Sequence, residues 1–292
     1  MPITHPFPVR SISQEEFSRL DYQAMRLAFD SQNALGRLCD EVMYQNDLAA
    51  RIEAASLGQV RQQVPITVTH KDFVKVYRLD LVISDASVYE LKADSALAPE
   101  HEGQLLNYLL LRGASHGKLV NFRPAQVQSR FVNANLTLAS RKRIEVDARR
   151  WQEDAAGLRQ MLLGLLEDWG AFLELPLYIA ALIHFLGGER SVLRQVPLSR
   201  DGVSLGNQRM HLLNDQVAFR LTAMAEETDD YEAQATAPPA AQPVAGHSMG
   251  QHGPAQNSVR YHRGMRRKNK AKRWRQENED GKTIFLPPYF CR

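Results

Sequence analysis

The sequence predicts an α/β fold in which helices flank a mixed β-sheet. Three observations carry that prediction. Residues 60–83 ("VRQQVPITVTHKDFVKVYRLDLVI") alternate apolar and polar groups and are rich in β-branched residues, which is strand patterning. Two stretches with helical spacing precede them, and a helix followed by a short strand comes after. The order helices, β-meander, helix, strand is that of a sheet sandwiched by helices.

Each element has its own signal. Ser13-x-x-Glu16 is a capping box and opens a helix running to about residue 30. Asn33 to about Ala55 reads as a second helix, with Leu38, Val42, Leu48 and Ile52 as its apolar stripe. Pro65 marks an edge or a strand start, because proline cannot donate to a ladder. Residues 77–93 ("YRLDLVISDASVYELKA") form a hairpin. Pro99 to Leu111 is a helix, and "GKLVNF" at 117–122 is a further strand.

Composition excludes several classes of function. A chain of 292 residues suits one large domain or two small ones. Its two cysteines, Cys39 and Cys291, are far apart; they fit a reducing cytoplasm and exclude a four-cysteine iron–sulfur cluster within one chain. No signal peptide is expected. The longest uncharged apolar stretch, Leu175 to Gly188, contains Pro176 and His184 and is too short to span a bilayer, so it is expected to be buried core. A soluble cytoplasmic protein with no membrane partner is the expectation.

The net charge of +3 hides an asymmetry. "RYHRGMRRKNKAKRWR", from Arg260 to Arg275, holds nine Lys or Arg residues and no acid, leaving −6 on the remainder. Within it Arg263, Arg266, Arg267, Lys268, Lys270, Lys272 and Arg273 are candidate phosphate contacts, with Tyr261 and Trp274 able to stack on bases. A solvated tail explains the same composition. Residues 225–259, rich in Ala, Pro, Gln and Gly, cannot bury enough apolar surface to offset ordering entropy and read as a disordered linker. The domains expected are therefore 1–135, 150–224, the linker 225–259 and a basic tail 260–292.

The hairpin carries the chemistry. Strand side chains alternate faces, so Glu90 and Lys92 share one face while Tyr89, Leu91 and Ala93 take the other. A four-residue loop would place Asp80 on the opposite face. A three-residue loop, Ser84 to Ala86, or a bulge, pairs Asp80 with Glu90 across the hairpin. The second arrangement is the expectation. Two adjacent carboxylates repel unless a cation separates them, and hard oxygen ligands suit Mg²⁺ or Mn²⁺. Lys92 is then placed to orient a water or stabilise phosphoryl charge. An exposed hairpin with a salt bridge is the alternative.

On the following helix Gln104 and Tyr108 sit one turn apart on one face, with His101 three residues earlier; Leu105, Leu106 and Leu109 can face the sheet. His101-Glu102 does not open a zinc-protease motif, because residue 105 is Leu. There is no G-x-S-x-G, Walker loop or Rossmann glycine pattern.

Taken in order, "LGRLCDEVMY", "QQVPITVTHKDFVKVYRLDLVI", "YELKA", "HEGQLLNYLLLRG" and "GKLVNF" resemble the GxxExxY proteins, a branch of the PD-(D/E)XK nuclease superfamily. The resemblance covers about residues 16–124 and implies a restriction-endonuclease-like fold. It implies Glu41, Asp80 and Glu90 as metal ligands, with Asp80, Glu90 and Lys92 performing hydrolysis. Gln104 and Tyr108 match the Q-x-x-x-Y helix of RecB-type members. The family's glycine three residues before the helix Glu is Leu38 here. Metal-dependent cleavage of nucleic acid, DNA first, is the function this implies; a non-catalytic nucleic-acid-binding or protein-interaction module on a nuclease scaffold is the alternative.

Residues 150–224 contain an echo of the first half. "VLRQVPLSR" answers "VRQQVPITV", and "QRMHLLNDQVAFRLTA" answers the hairpin with one residue deleted in the turn. Asp80 becomes His211, Glu90 becomes Arg220 and Lys92 becomes Thr222; Gly36 and Tyr44 recur as Gly170 and Tyr178. A decayed second copy, kept for packing or homodimerisation, and coincidence between two amphipathic hairpins both explain it. A decayed copy should fold as a helix and a β-meander with a shorter turn, no converging polar trio, and Leu212 and Leu221 buried.

Overall fold

The computed structural model describes residues 1–144, 146, 157–200, 202–214 and 217–223, together with the backbone of 242–243 and 288–291. These fall into two compact units, Met1–Arg141 with Phe172–Glu174, and Lys142–Ala171 with Leu175–Arg292.

The first unit is a six-stranded sheet between helices. Strand β1 (Ile3–Thr4) is followed by α1 (Gln14–Leu35), α2 (Glu41–Ala54), β2 (Val60–His70), β3 (Phe73–Ile83), β4 (Ser87–Lys92), α3 (Pro99–Arg112), β5 (His116–Asn121), β6 (Gln128–Asn133) and the short α4 (Leu138–Arg141). Strand order follows chain order, and every neighbouring pair is antiparallel except β4 and β5, which run parallel across the α3 connection. Pro65 lies on β2 beyond the two residues that pair with β1, where no donor is needed outward.

The capping box is formed: Ser13 Oγ accepts from the Glu16 amide at 3.2 Å, and Glu16 accepts from the Ser13 amide at 2.9 Å. Helix α1 then continues a full turn past residue 30 and stops at Gly36, whose φ of 75° is open to glycine. The second helix therefore starts at Glu41, after Asp40, rather than at Asn33. Its stripe differs accordingly. Leu48 and Ile52 are buried with Tyr44, Gln45 and Ala49, but Leu38 precedes the helix and Val42 points away from that face, so both are exposed.

The two faces of the sheet are divided between helices. Leu81, Ile83, Tyr89, Leu91, Val120 and Phe122 pack with Ala24, Ala28, Tyr44, Leu48 and Ile52 of α1 and α2. On this face Lys118 Nζ and the Tyr89 hydroxyl both donate to the buried Asp21 carboxylate, at 2.9 and 3.2 Å, tying α1 to the sheet. The opposite face belongs to α3. A methyl at Gly117 would come within 3.1 Å of both Leu105 and Leu109, so α3 lies close over β5. Leu105 and Leu109 are fully buried and Leu106 is half-buried.

The second unit contains α5 (Leu158–Trp169), α6 (Leu175–Phe185), α7 (Glu189–Val192) and a five-stranded sheet. Its strands are β7 (Leu193–Arg200), β8 (Val203–Asn214), β9 (Val217–Leu221), β10 (Gln242–Pro243) and β11 (Pro288–Cys291), in the order β10-β7-β8-β9-β11. Leu177, Tyr178, Ala181 and Leu182 of α6 are buried, whereas Pro176 and His184 are exposed, so the apolar stretch is core along one face rather than throughout. Strand β10 falls within the expected linker and β11 within the expected tail; the rest of both segments, including the basic run 260–275, lies outside the described residues.

Internally the second unit repeats features of the first. Helix α1 ends at Gly36, α2 begins five residues later, and the Tyr44 hydroxyl donates to the Gly36 carbonyl at 2.7 Å. Helix α5 ends at Gly170 (φ 73°), α6 begins five residues later, and the Tyr178 hydroxyl donates to the Gly170 carbonyl at 2.5 Å. An antiparallel meander follows in both. The second hairpin turn is shorter: β8 ends at Asn214 and β9 starts at Val217. Asn214 pairs with Val217 as Ile83 pairs with Ser87, but a bulge between Leu212 and Asn214 then slips the register, so His211 opposes and stacks on Phe219 instead of meeting Arg220. Leu221 is buried, whereas Leu212 is only half-buried.

Candidate active site

The hairpin turn sets the geometry. Ser84 and Asp85 both have positive φ (53° and 58°), and the Ala86 amide donates to the Ile83 carbonyl at 3.1 Å, the twist-compatible turn for a tight hairpin. The turn is anchored from outside. The Ser84 amide donates to Gln59, the Arg10 amide donates to the Asp85 carbonyl, and Arg61 bonds the Asp85 carboxylate at 2.7 Å. The loop is thus Ser84–Ala86, and Leu81 pairs with Tyr89, Val82 with Val88 and Ile83 with Ser87. That register puts Asp80 directly across from Glu90, on the α3 face with Lys92.

All three charged groups are buried: Asp80 is 7% exposed, Glu90 2% and Lys92 8%. Buried charges require partners. Asp80 Oδ2 accepts from the Leu91 amide at 2.9 Å and Oδ1 from Gln63 Nε2 at 3.0 Å. Lys92 Nζ donates to Glu90 Oε1 at 2.8 Å. Glu90 Oε2 accepts from no donor, and the Asp80 and Glu90 carboxyls lie within hydrogen-bonding reach of each other.

The electrostatics follow. Burial, then the neighbouring Asp80 charge, pushes the Glu90 carboxyl up to about 8 despite Lys92. Burial also raises Asp80 against the opposing effects of the Leu91 amide, Lys92, Gln63 and a side-chain hydrogen bond with Glu90. Burial alone would lower Lys92, but Glu90, Glu41 and Asp80 outweigh it and hold the ammonium above its ordinary value. Glu41, at the start of α2, is raised by burial and feels both Lys92 and Asp80. Three acids thus share one lysine, an excess of negative charge that only protons or a cation can offset.

The donor set is hard oxygen, and Glu90 presents a buried oxygen without a partner; both suit a divalent ion. The expected three-acid ligand set is nevertheless not closed. Among the described residues no three His, Cys, Asp or Glu side chains converge at ligating spacing. Asp80 and Glu90 form the pair, and Glu41 influences them without completing a cluster.

Helix α3 adds the polar groups expected of it. Gln104 Nε2 donates to the Tyr108 hydroxyl at 2.9 Å, and Tyr108, raised by burial, is close enough to feel the Glu90 and Asp80 charges. His101 is turned away: its Nδ1 accepts from the Ala98 amide at the helix start, and its Nε2 lies 3.3 Å from Asp94. Arg263, Arg266, Arg267, Lys268, Lys270, Lys272 and Arg273 lie outside the described residues.

Sequence reading passed over Gln63 and Gln45. Gln63 Nε2 bonds both Asp80 and Gln45 Oε1, and Gln45 Nε2 donates to Gln62. A signal was present: the Gln62-Gln63 doublet interrupts the alternation that places Val64, Ile66 and Val68 in the core.

Residues 18–132 match the family model of the PD-(D/E)XK nuclease superfamily. The match supports that superfamily for this segment and does not reach the narrower GxxExxY branch. The six-stranded, mostly antiparallel sheet flanked by helices is consistent with a restriction-endonuclease-like fold. A solved structure titled "Crystal structure of SSO0001" is similar at 23% identity, with 42% of this chain and 64% of that chain covered and a TM-score of 0.26, too low to bear on the fold. No curated protein matches. No helix among the described residues is long and apolar enough to cross a membrane.

Proposed function

We propose that the first unit hydrolyses phosphodiester bonds of nucleic acid, DNA in the first instance, in the presence of Mg²⁺ or Mn²⁺. The observation that carries this reading is the buried, unpartnered Glu90 Oε2, across from Asp80 and beside Lys92. Asp80 and Glu90 would hold the ion, with Glu41 contributing from α2. A divalent ion bound there supplies charge neutralisation for the scissile phosphate and a water of lowered pKa.

The chain's own groups do the rest. Lys92 keeps its proton and lies at the carboxylate pair, placed to orient the attacking water and to stabilise charge on the phosphoryl oxygens. Tyr108, accepting from Gln104, retains its hydroxyl proton to donate to a phosphate oxygen. The burial of all three hairpin charges excludes bulk water, which strengthens each of these interactions.

The arginines and lysines between Arg260 and Arg275 would add sequence-independent phosphate contacts. The second unit we read as a degenerate copy of the αα-meander without a catalytic site. The Gly170–Tyr178 lock, which reproduces Gly36–Tyr44, and the slipped His211 register support this reading.

One observation favours a binding module on the same scaffold instead: both Asp80 oxygens already accept protein hydrogen bonds, and among the described residues no third acid closes on the pair. Purified protein assayed with Mg²⁺ or Mn²⁺ on labelled single- and double-stranded DNA and RNA decides between them. Metal-dependent cleavage lost in Glu90→Gln supports hydrolysis; salt-sensitive binding without cleavage supports the module.

A further inference from the structure

The backbone of Gln63 is strained where nothing in the fold requires it. It lies within the eleven-residue strand β2, yet its φ is 49°, a left-handed conformation that side chains other than glycine adopt at a cost. Gln62 pairs with Leu81 and Val64 with Leu79, so the ladder resumes in the same register on either side of it. Gln63 is solvent-exposed, so no core packing holds it there. Its side chain is what the conformation serves: one amide nitrogen donates to Asp80 Oδ1 at 3.0 Å and to Gln45 Oε1 at 2.8 Å. Gln45 is buried on α2, one helical turn after Glu41, and is itself held by donation to Gln62.

We propose that Gln63 is a positioning residue, held by Gln45 in a strained backbone conformation so that its amide orients the Asp80 carboxylate toward Glu90. This inference rests on the reading of Asp80 as an ion ligand. With Oδ2 committed to the Leu91 amide, the Gln63 bond to Oδ1 removes the remaining rotation about the carboxylate. The same network links α2, which carries Glu41, to the hairpin, so the three acids are set relative to one another through amides rather than through apolar packing. Outer groups of this kind act by fixing ligand orientation.

Gln63→Gly separates this role from a merely structural one, because glycine relieves the strain while deleting the amide. The thermal midpoint should fall less than in Gln63→Ala, which loses the same two hydrogen bonds but keeps the strained backbone. The Mn²⁺ affinity, measured by calorimetry with Mn²⁺ alone, should fall by about 10- to 100-fold. The kcat for cleavage should fall by a similar factor with KM for the nucleic acid unchanged. Gln45→Leu, which frees Gln63, should give a smaller loss in the same two quantities. A Gln63→Gly protein that binds Mn²⁺ and cuts as the unaltered chain does, while Asp80→Asn is inactive, overturns the inference and leaves the nuclease reading standing. An Asp80→Asn protein with full cleavage and Mn²⁺ binding overturns both.

Discussion

Lys92 Nζ donates to Glu90 Oε1 over 2.8 Å, and this buried contact uses only one of the two carboxyl oxygens. A pair kept for stability alone would satisfy both, because an orphaned buried acceptor costs roughly 1–3 kcal/mol. The open oxygen is the feature from which the first predictions derive.

Asp80→Ala, Glu90→Ala and Lys92→Ala should each reduce cleavage by at least about 100-fold. Divalent-ion binding should drop mainly in the two acid variants. Lys92→Ala leaves Glu90 and Asp80 without their nearby cation, so it should also lower the thermal midpoint of the metal-free protein. Circular dichroism and a gel-based cleavage assay check both. Full activity in a well-folded Glu90→Ala protein would sink the site assignment.

The raised Glu90 carboxyl makes metal-free stability depend on pH. Its pKa is near 8 when folded against an ordinary 4.5, so the folded state holds the proton more tightly. Stability is then greatest below about pH 4.5 as far as this group is concerned, and is lost as pH rises through 8. The loss is on the order of a few kcal/mol. Urea unfolding between about pH 5 and 9 should show it in the unaltered chain and not in Glu90→Gln. Saturating Mn²⁺ should abolish it.

The same proton should leave when an ion binds. At about pH 7 most Glu90 is protonated, so Mn²⁺ binding should release about one proton per ion, falling toward zero above about pH 9. Calorimetry in buffers of differing ionisation enthalpy measures this directly. Equal apparent enthalpies in all buffers would contradict it.

Removal of residues 260–275 tests the basic run. If it neutralises phosphates, truncation should weaken nucleic-acid binding. The plot of log affinity against log salt should also flatten, by about 0.9 for each duplex phosphate left unneutralised. Mn²⁺ affinity should not change. An unaltered slope would assign the run to solvation alone.

The second unit should bear on stability and not on chemistry. Tyr178→Phe deletes the bond to the Gly170 carbonyl and should cost about 1 kcal/mol, as Tyr44→Phe should in the first unit. His211→Ala and Arg220→Ala should leave the cleavage rate unaltered. A large rate loss in either would show that the second hairpin serves catalysis.

Much of the first unit was legible without coordinates because its signals are local. The Ser13–Glu16 box, the alternation of β2 and β3, and the Pro99 to Leu111 helix each depend on neighbours within a few residues. Errors arose where a local pattern continued through a backbone change. Leu38 and Val42 look like the start of the α2 stripe, but Gly36 ends α1 and Asp40 precedes α2, so both residues lie off the buried face.

The charged residues of the hairpin, their alternation between faces, and the recurrence of a glycine–tyrosine pair eight residues apart are all readable along the chain. The three-residue turn, and with it the meeting of Asp80 and Glu90, required the folded chain, because register depends on anchors as distant as Arg10, Gln59 and Arg61. The fold alone shows the left-handed Gln63 reaching Asp80, and the bulge that moves His211 from Arg220 to Phe219. Period and composition are properties of neighbours along the chain, whereas register, strain and the pairing of buried charges are set by groups that folding brings together from far apart.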